Sequence, residues 1–478
     1  MTPNFLHVMS PDGARPGPMS LAALAGALWL SGCAGVPTSP ASPELVVPPA
    51  WQQAAVTPAA AASSPQASTT ATKAWWLPLG DAGLQAVIEQ ALARNNNLAQ
   101  AAVRVRRAQL VAGQAASDAL PEVSVRGNAS TSEALSSGAR SSRSFGATAS
   151  VSWELDLWGR LAAARDAAEL EAQATQADRD AAALSLSATV ARLYWQLGYL
   201  NQRVAVSLQS IDYARETLRL VRAQYDAGAA SGLELAQATQ SLANQQAAHT
   251  QWLQQRVEAL NALALLLDGP PGSVARDEQR TLPDAALPAL QAGVPAAVLT
   301  RRPDLQASEL RLRKTLATVD ATQRSFYPAL TLTGSVGTSS SALSEVLRNP
   351  VGTLGAGLVL PFIQWRDMQR NVAISQADHE LAVLAFRQAW YQALAEVEDA
   401  LSAEQQLMAQ GEQLAVAAQA ARQSERLSEA RYRAGAVPLK TWLDAQESRR
   451  QVDINLALNR LNLLQNRATL MQALGGGV

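Results

Sequence analysis

The 478-residue chain has one cysteine, three histidines and a formal net charge of −1. A single cysteine excludes an intrachain disulfide, a Cys-x-x-Cys redox pair and a cysteine-rich zinc site. His7, His249 and His379 are far apart in sequence, so they do not indicate a metal or catalytic cluster. The small net charge and the absence of long runs of like charge give no indication of nucleic acid as a partner.

Long apolar runs are also missing from the body of the chain. A helix that crosses a bilayer needs about 20 largely apolar residues, whereas runs such as Leu263 to Leu267 are far shorter. The sequence therefore predicts no membrane-spanning helix after its first segment. A hydrolase would need a nucleophile with its base and orienting group, or a metal cluster. The chain offers neither, nor a glycine-rich phosphate loop, so we predict that it is not an enzyme.

The first segment has the pattern of a targeting signal. A short apolar stretch, Leu21 to Leu30, follows Arg15 and is too short to span a bilayer as a mature helix. It ends in Leu-Ser-Gly-Cys, which resembles a bacterial lipobox with Cys33 as the acylated residue. We predict a signal peptide over 1–32, an N-acyl and diacylglycerol lipid on Cys33, and no other cofactor. In lipoproteins generally, an Ala directly after the acylated cysteine favours the outer membrane over the inner one, and Ala34 stands at that position.

Residues 33–74 are rich in Pro, Ala and Ser. Such a composition buries too little apolar surface to offset the entropy of ordering the chain. We therefore interpret this range as an extended tether between the lipid and the folded body.

The body shows an internal repeat at a constant offset of 207 residues. The offset pairs Arg94 with Arg301, Pro121 with Pro328, Trp158 with Trp365, Tyr225 with Tyr432 and Gly228 with Gly435. Such self-similarity indicates a duplicated unit. We predict repeat 1 over 75–270, a link over 271–280 and repeat 2 over 281–478. One departure is Arg366, which stands where the first copy has Gly159, so the conformation of that turn is in question.

Each repeat contains two stretches of period-two alternation, which predicts two strands. The predicted strands span about 122–130, 144–156, 329–337 and 353–362. Apolar side chains predominate on one face of each strand and polar or charged side chains and glycine on the other. Such alternation places one face in an apolar medium and the other in a polar one. In a protein of the outer membrane these media would be lipid and an aqueous lumen.

Very long helices follow the strands. Between Arg160 and Ala227 there is no proline and one glycine, and apolar residues recur every three or four positions. Sixty-eight helical residues would extend for about 100 Å. A helix is also predicted before each first strand, ending near Leu120 and Tyr327, the residues that precede proline. Gly228 and Gly435 then mark tight turns between paired long helices.

Four strands cannot close a barrel, and open sheet edges are not tolerated in lipid. Three chains would supply twelve strands, the smallest symmetric assembly that we expect to enclose an open lumen. The prediction is therefore a mixed α+β membrane protein: a homotrimeric 12-stranded β-barrel continued by a long α-helical barrel in the periplasm. Trp153, Trp158, Phe362 and Trp365 lie near the strand-to-helix junctions, where aromatic rings would mark the membrane interface.

The ordered motifs of both repeats together carry a family resemblance. The chain resembles the TolC-like outer membrane factors, in particular the lipoprotein branch that includes NodT. The resemblance runs from about Trp75 to Leu474 and is carried by Trp75-Trp76, Glu154-Leu155-Asp156-Leu157-Trp158-Gly159-Arg160, Arg301-Arg302-Pro303-Asp304-Leu305, Phe326-Tyr327-Pro328, Pro361-Phe362 and Glu396-Val397-Glu398-Asp399-Ala400-Leu401.

This resemblance implies the passive outer-membrane channel of a tripartite efflux or type I secretion system. Its partners would be a periplasmic adaptor protein and an inner-membrane transporter of the RND or ABC type, which would supply the energy. Turns at Gly228 and Gly435 would form the periplasmic tips that contact the adaptor. Asp444 would belong to a pore constriction, as a threefold ring of carboxylates that favours cations and raises the pKa of each member.

Glu234 of the first repeat would add charge near the same constriction. Some members of the family carry a second aspartate three residues before the first, but here that position is Thr441, which puts a double acidic ring in doubt. The alternative is a coiled-coil lipoprotein of the periplasm that acts as a spacer and has no pore. Long helices fit that alternative, whereas the two-faced strands and the duplication do not.

Overall fold

A computed structural model describes residues 45–52, 74–133, 142–274, 281–283, 287–288, 295 and 300–476. The predicted signal peptide, Cys33 and most of the predicted tether and link lie outside these residues. All described residues belong to one unit, Leu45–Val478. Within them, no helix is both long enough and apolar enough to cross a bilayer.

The first half of this unit runs helix, helix, strand, strand, long helix, long helix. Its elements are α1 (Ala82–Arg94), α2 (Asn96–Ser117), β1 (Glu122–Ser132), β2 (Ser142–Leu155), α3 (Arg160–Asp226) and α4 (Gly232–Leu266). The second half repeats this order from α2 onward, and the positions that would correspond to α1 lie mostly outside the described residues. Its elements are α5 (Pro303–Arg324), β3 (Ala329–Ser340), β4 (Val351–Val359), α6 (Trp365–Arg433) and α7 (Leu439–Ala473).

Helices α2 and α5 end three residues before the predicted positions, at Ser117 and Arg324. In each case a turn separates the helix from the proline that opens the strand, with Leu120 N–H donating to Ser117 O and Tyr327 N–H to Arg324 O. Proline disfavours helical geometry in the residue before it. At both sites the helix ends a full turn before the proline.

The four strands form one antiparallel sheet in the order β1-β2-β3-β4. The register places apolar residues beside apolar ones: Val123 pairs with Val151, which pairs with Gly334, which pairs with Leu354. One position along, Ser124 pairs with Ser150, and their hydroxyl oxygens are 2.8 Å apart. A one-residue slip would mix the two faces. The register therefore keeps one face apolar and the other polar across all four strands.

The largest hydrophobic cluster lies where α1 packs against α3, α4 and α7. It buries Trp195 and Leu263 almost completely, together with Ile88 of α1. Trp75 joins it from the segment before α1 and donates its indole N–H to Ser187 Oγ at 2.9 Å. This cluster packs the middle of α3 against the C-terminal parts of α4 and α7, far in sequence from the interhelical turns.

A second cluster contains Trp51, which departs from the expectation that the range 33–74 stays unpacked. Its side chain is 5% exposed and packs among Leu305, Val397 and Leu470. The neighbouring Gln52 N–H donates to Glu398 Oε1 at 2.6 Å. A single large indole buries enough apolar surface to hold a short segment that is otherwise poor in apolar residues.

Candidate functional site

The two interhelical turns at the candidate tips have the same backbone. Gly228 and Gly435 have φ values of 72° and 71°, in the left-handed region that favours glycine. Each glycine N–H donates at 2.9 Å to the carbonyl of the residue three before it, Tyr225 or Tyr432. The sequence prediction of two tight turns at these glycines is matched by this geometry.

The helix that follows each turn starts differently. Ser231 opens α4 with a capping box, in which Ser231 Oγ accepts from Glu234 N–H and the Glu234 carboxylate accepts from Ser231 N–H at 2.9 Å. Such a box satisfies helix N–H groups that would otherwise lack partners. In the second hairpin, Pro438 stands before α7 and provides no side-chain cap. The structure thus gives Glu234 a capping contact within its own turn.

Asp444 lies one turn into α7, on an exposed face. The Lys440 ammonium donates to both carboxylate oxygens of Asp444 at 2.8 Å, and both side chains are largely exposed. Leu439 and Trp442 point the other way and are 0% and 2% exposed. Asp444 and Glu234 therefore each form a contact close by on their own helix. The sequence prediction did not include Lys440, although the i to i+4 spacing of Lys440 and Asp444 is the signal for such a pair.

A small hydrophobic cluster joins the two hairpins behind this face. It consists of Val221, Ala238, Tyr432, Leu439 and Trp442, all buried. Tyr432 stacks on Trp442 with 5.3 Å between ring centroids, and its hydroxyl donates to Gln224 Oε1 of α3 at 2.8 Å. Burial, with the nearby charge of Glu234 as a smaller cause, raises the pKa of Tyr432. The tips of the two hairpins are thus packed against each other.

A band of charged side chains lies further from the turns. Arg449 of α7 places its Nε 2.8 Å from Glu425 Oε2 of α6, and Arg422 donates to Asp453 Oδ1 at 2.8 Å. Burial raises the pKa of Glu425. From α3, Tyr213 donates to Glu429 at 3.2 Å. Burial, then the charges of Glu429 and Glu425, raise the pKa of Tyr213 to about 12.

These charged groups line a cavity of about 1300 Å³ between the two long hairpins. Its walls combine arginines such as Arg203 and Arg450 with carboxylates such as Glu412 and Glu447. Arg203 lies over the Trp252 ring, 5.0 Å from its centroid. Among the described residues there is no group of three or more His, Cys, Asp or Glu side chains that could hold a metal ion.

The first strand-to-helix junction explains the Glu154 to Arg160 motif. Arg160 donates to both oxygens of Glu154, at 2.8 and 2.9 Å. The Asp156 carboxylate accepts from the N–H groups of Leu161 and Ala162 and so caps the start of α3. Negative charge at a helix N-terminus is favourable. The motif is a compact connection that turns the chain from sheet to helix.

Trp158 completes this junction by donating its indole N–H to Pro328 O at 2.8 Å and packing edge-on against Tyr327. Trp153 donates to Ala119 O at 3.0 Å and keeps 37% of its surface exposed. Both tryptophans therefore present a ring near the end of the sheet while their polar nitrogen is satisfied by backbone.

The second junction differs in backbone. Gly159 has φ +72° at the start of α3, whereas Arg366 lies inside α6, which begins at Trp365 after a short 3-10 helix, Pro361–Ile363. The substitution of arginine for glycine thus accompanies a different turn. Phe362 and Trp365 are 47% and 57% exposed in the single chain. All four predicted interface aromatics lie at the same end of the sheet, where β2 and β4 end.

The described chain thus combines a two-faced, four-stranded sheet that has open edges with helices of nearly seventy residues that continue from it. The sequence pattern of the outer membrane efflux protein family matches residues 87–269 and 294–476. The chain therefore belongs to the outer membrane efflux protein family. The spacing of the two matched segments equals the offset of the predicted repeat, and the predicted family resemblance is confirmed.

Individual relatives agree with this assignment. The chain is 34% identical over 431 residues to the pyoverdine export outer membrane protein OpmQ of Pseudomonas putida, covering 86% of this chain and 91% of the relative. It is 29% identical to the outer membrane protein OprJ of Pseudomonas aeruginosa, over 96% and 95% of the two chains. The solved outer-membrane channel OprN is similar in structure, with a TM-score of 0.78, 26% identity and coverage of 85% and 92%.

Proposed function

We propose that this chain is the outer-membrane channel of a tripartite efflux or type I secretion system. It would conduct substrates passively from a periplasm-spanning pump complex to the exterior, without catalysis of its own. Membership of the efflux family supports the role in the outer membrane. The finer proposals concern the trimer, the lipid anchor, the pore constriction and the partners.

The open edges of the sheet carry the proposal of a homotrimer. Strands β1 and β4 each have one neighbour in the sheet, and every residue of both strands is exposed in the single chain. Unpaired backbone groups in hydrocarbon cost several kcal/mol each. Pairing β1 of one chain with β4 of the next removes both edges. Three chains would close twelve strands around a lumen, with the long helices continuing as a second barrel.

The direction of the assembly follows from the aromatic junctions. Trp153, Trp158, Phe362 and Trp365 would lie at the periplasmic surface of the membrane, and the long helices would extend away from it. Helix α3 alone has 67 residues, which correspond to about 100 Å. The Gly228 and Gly435 turns would then lie deep in the periplasm, where an adaptor protein would bind them.

We place the pore constriction at these tips, with Asp444 as its main charged residue and Glu234 close to it. The inner-membrane transporter, of the RND or ABC type, would supply energy and determine the substrate. Cys33 would carry the lipid that anchors the mature chain in the outer membrane. Trp51, which packs among Leu305, Val397 and Leu470, would hold the segment that follows the lipid against the body.

The alternative remains a coiled-coil lipoprotein of the periplasm without a pore. The two-faced sheet argues against it, because a spacer has no use for a sheet with an apolar face outward and a serine-lined face inward. The experiment is a native mass measurement of the detergent-purified mature protein, with and without cysteine cross-linking between β1 and β4. We expect a trimer in which three chains are covalently linked in a ring.

The natural chain suits this experiment, because its one cysteine is Cys33, which acylation would block. Matched controls pair a cysteine in β1 with one in the central strand β3, which should not link chains. A stable monomer, or cross-links that join only two chains, would overturn the trimeric channel.

A further inference from the structure

The exposed face of α7 near its start carries charges in pairs. Lys440 and Asp444 form one pair, and Glu447 with Arg450 forms the next, one turn further along. Lys440, Asp444, Glu447 and Gln451 are all exposed, whereas the opposite face buries Leu439, Trp442 and Gln446. The exposed stripe is therefore polar but electrically compensated, since each of its carboxylates has a cationic partner on the same helix.

The first hairpin does not carry this pattern. At the positions 207 residues earlier, α4 has Leu233 and Gln237 in place of Lys440 and Asp444. Leu233 is 67% exposed. At these two positions α4 contributes no charge, so the Lys440–Asp444 pair is particular to α7, and Glu234, next to Leu233, is the carboxylate that α4 adds near the proposed constriction.

We propose that Lys440 is a selectivity-determining residue: its ammonium offsets the Asp444 carboxylate, so that the constriction is only weakly cation-selective. This rests on the proposed function, because it requires Asp444 to face the conducting path. Three chains would then present three lysines interleaved with three aspartates, instead of a ring of carboxylates alone. A carboxylate ring without this compensation would concentrate cations and bind divalent ones.

The compensation does not depend on a strong salt bridge. Exposed i to i+4 pairs contribute little to stability, and many are worth less than about 1 kcal/mol. The effect on a passing ion depends on distance, and charges closer than the Debye length of about 8 Å at physiological salt act together. Lys440 Nζ lies 2.8 Å from both oxygens of Asp444. An ion in the lumen would therefore experience the sum of the two charges even when the hydrogen bonds open.

The experiment measures reversal potentials of single trimers in planar bilayers under a potassium chloride gradient, with magnesium chloride added from the tip side. For Lys440→Gln we expect the ratio of potassium to chloride permeability to rise by roughly threefold or more, because a fixed ring of charge shifts the local potential by kT or more. Block by micromolar to millimolar magnesium should appear at the same time. For Asp444→Asn we expect the opposite shift in permeability ratio.

Two controls separate charge from structure. Lys440→Arg keeps the charge and should keep the wild-type ratio and magnesium response. Lys314→Gln removes another lysine, paired with Glu171 away from the tips, and should change neither. The double variant Lys440→Gln with Asp444→Asn should return close to the wild-type ratio.

The outcomes distinguish this inference from the proposed constriction. A shift in Asp444→Asn without a shift in Lys440→Gln would overturn the role of Lys440 and leave the constriction in place. No shift in either variant, in channels that still conduct, would show that Asp444 does not face the path, and would overturn both. A shift in Lys440→Arg as large as that in Lys440→Gln would assign the effect to side-chain packing.

Discussion

The two hairpin tips share a backbone turn and most of the residues in it, but the contacts around the turn differ. Gly228 and Gly435 have nearly equal φ values and the same hydrogen bond to a tyrosine carbonyl three residues before. The tyrosines themselves differ: Tyr225 is 45% exposed, whereas Tyr432 is 8% exposed and stacks on Trp442. One tip is stabilised locally by a capping box, and the other by aromatic packing.

This difference shows how a repeated backbone can be given two roles. A capping box holds the start of α4 with contacts inside one turn, so that the first tip needs little from its surroundings. The start of α7 has no cap and depends on Leu439 and Trp442, which pack against α3 and α4. The second tip is therefore the one whose position depends on the contact between the hairpins, and it also carries the Lys440–Asp444 pair.

The largest expected effect is the loss of this contact. Trp442→Ala should lower the free energy of local opening of the α6–α7 tip by about 3–5 kcal/mol, the usual loss for a buried tryptophan. Hydrogen exchange of the amides around Gly435 would measure it. The matched control is Leu235→Ala, at the position 207 residues earlier, which is only partly buried against the same cluster. Equal losses in the two variants would mean that both tips depend on the shared cluster alike.

The turns themselves should respond equally. A Cβ added at Gly228 or Gly435 would meet nothing within 4 Å, so the cost comes only from the left-handed backbone. For Gly228→Ala and Gly435→Ala we expect about 1–2 kcal/mol each, read from hydrogen exchange in the flanking turns. Asparagine at either site should cost less, since it tolerates this conformation better. Unequal free-energy costs in the two variants would show that contacts outside the single chain affect one of the two turns.

The capping box should matter at the first tip only. Ser231→Ala should weaken the first turn of α4 by about 1 kcal/mol, because Glu234 N–H loses its acceptor. Ser231→Asp retains an acceptor and serves as the control. Hydrogen exchange at the start of α7 should not change in either variant, and a change there would indicate that the two tips open together.

Alkaline pH should loosen the contact between Tyr213 of α3 and Glu429 of α6. The folded pKa of Tyr213 is about 12, above the ordinary value of 10, so the neutral phenol is favoured in the folded state. The contribution of the neutral Tyr213 phenol to the free energy of folding is complete below pH 10 and is lost as the pH rises from 10 to 12. Tyr213→Phe should remove this component of the pH dependence of hydrogen exchange in α3. An unchanged pH profile in that variant would contradict the assignment.

Local features of these hairpins were predictable from sequence, and tertiary ones were not. The tip turns follow from a glycine between two uninterrupted helical patterns. The sheet follows from the alternation of apolar and polar residues along each strand, and the strand register keeps the two kinds of residue on opposite faces. The stacking of Tyr432 on Trp442 requires the packing of α6 against α7, which no local pattern specifies. Trp51 was missed for the same reason, because its partners Leu305, Val397 and Leu470 lie hundreds of residues away.

Lys440 is a different case, since its spacing from Asp444 is visible in the sequence. The family resemblance implies a role for the Asp444 carboxylate alone. The Lys440 ammonium, one turn earlier, would offset the charge of that carboxylate. The departure at Arg366 was also visible, and there the structure supplies the answer: α6 begins one residue before it, without the left-handed glycine of the first copy.

The central claim is that several chains pool their strands around a conducting hole, and unitary conductance in planar bilayers tests it most directly. The purified mature protein should give discrete, reproducible current steps whose ion selectivity shifts when Asp444 is changed to Asn. A pure trimeric preparation that inserts into the bilayer and never passes unitary current would contradict the account and favour the spacer without a pore.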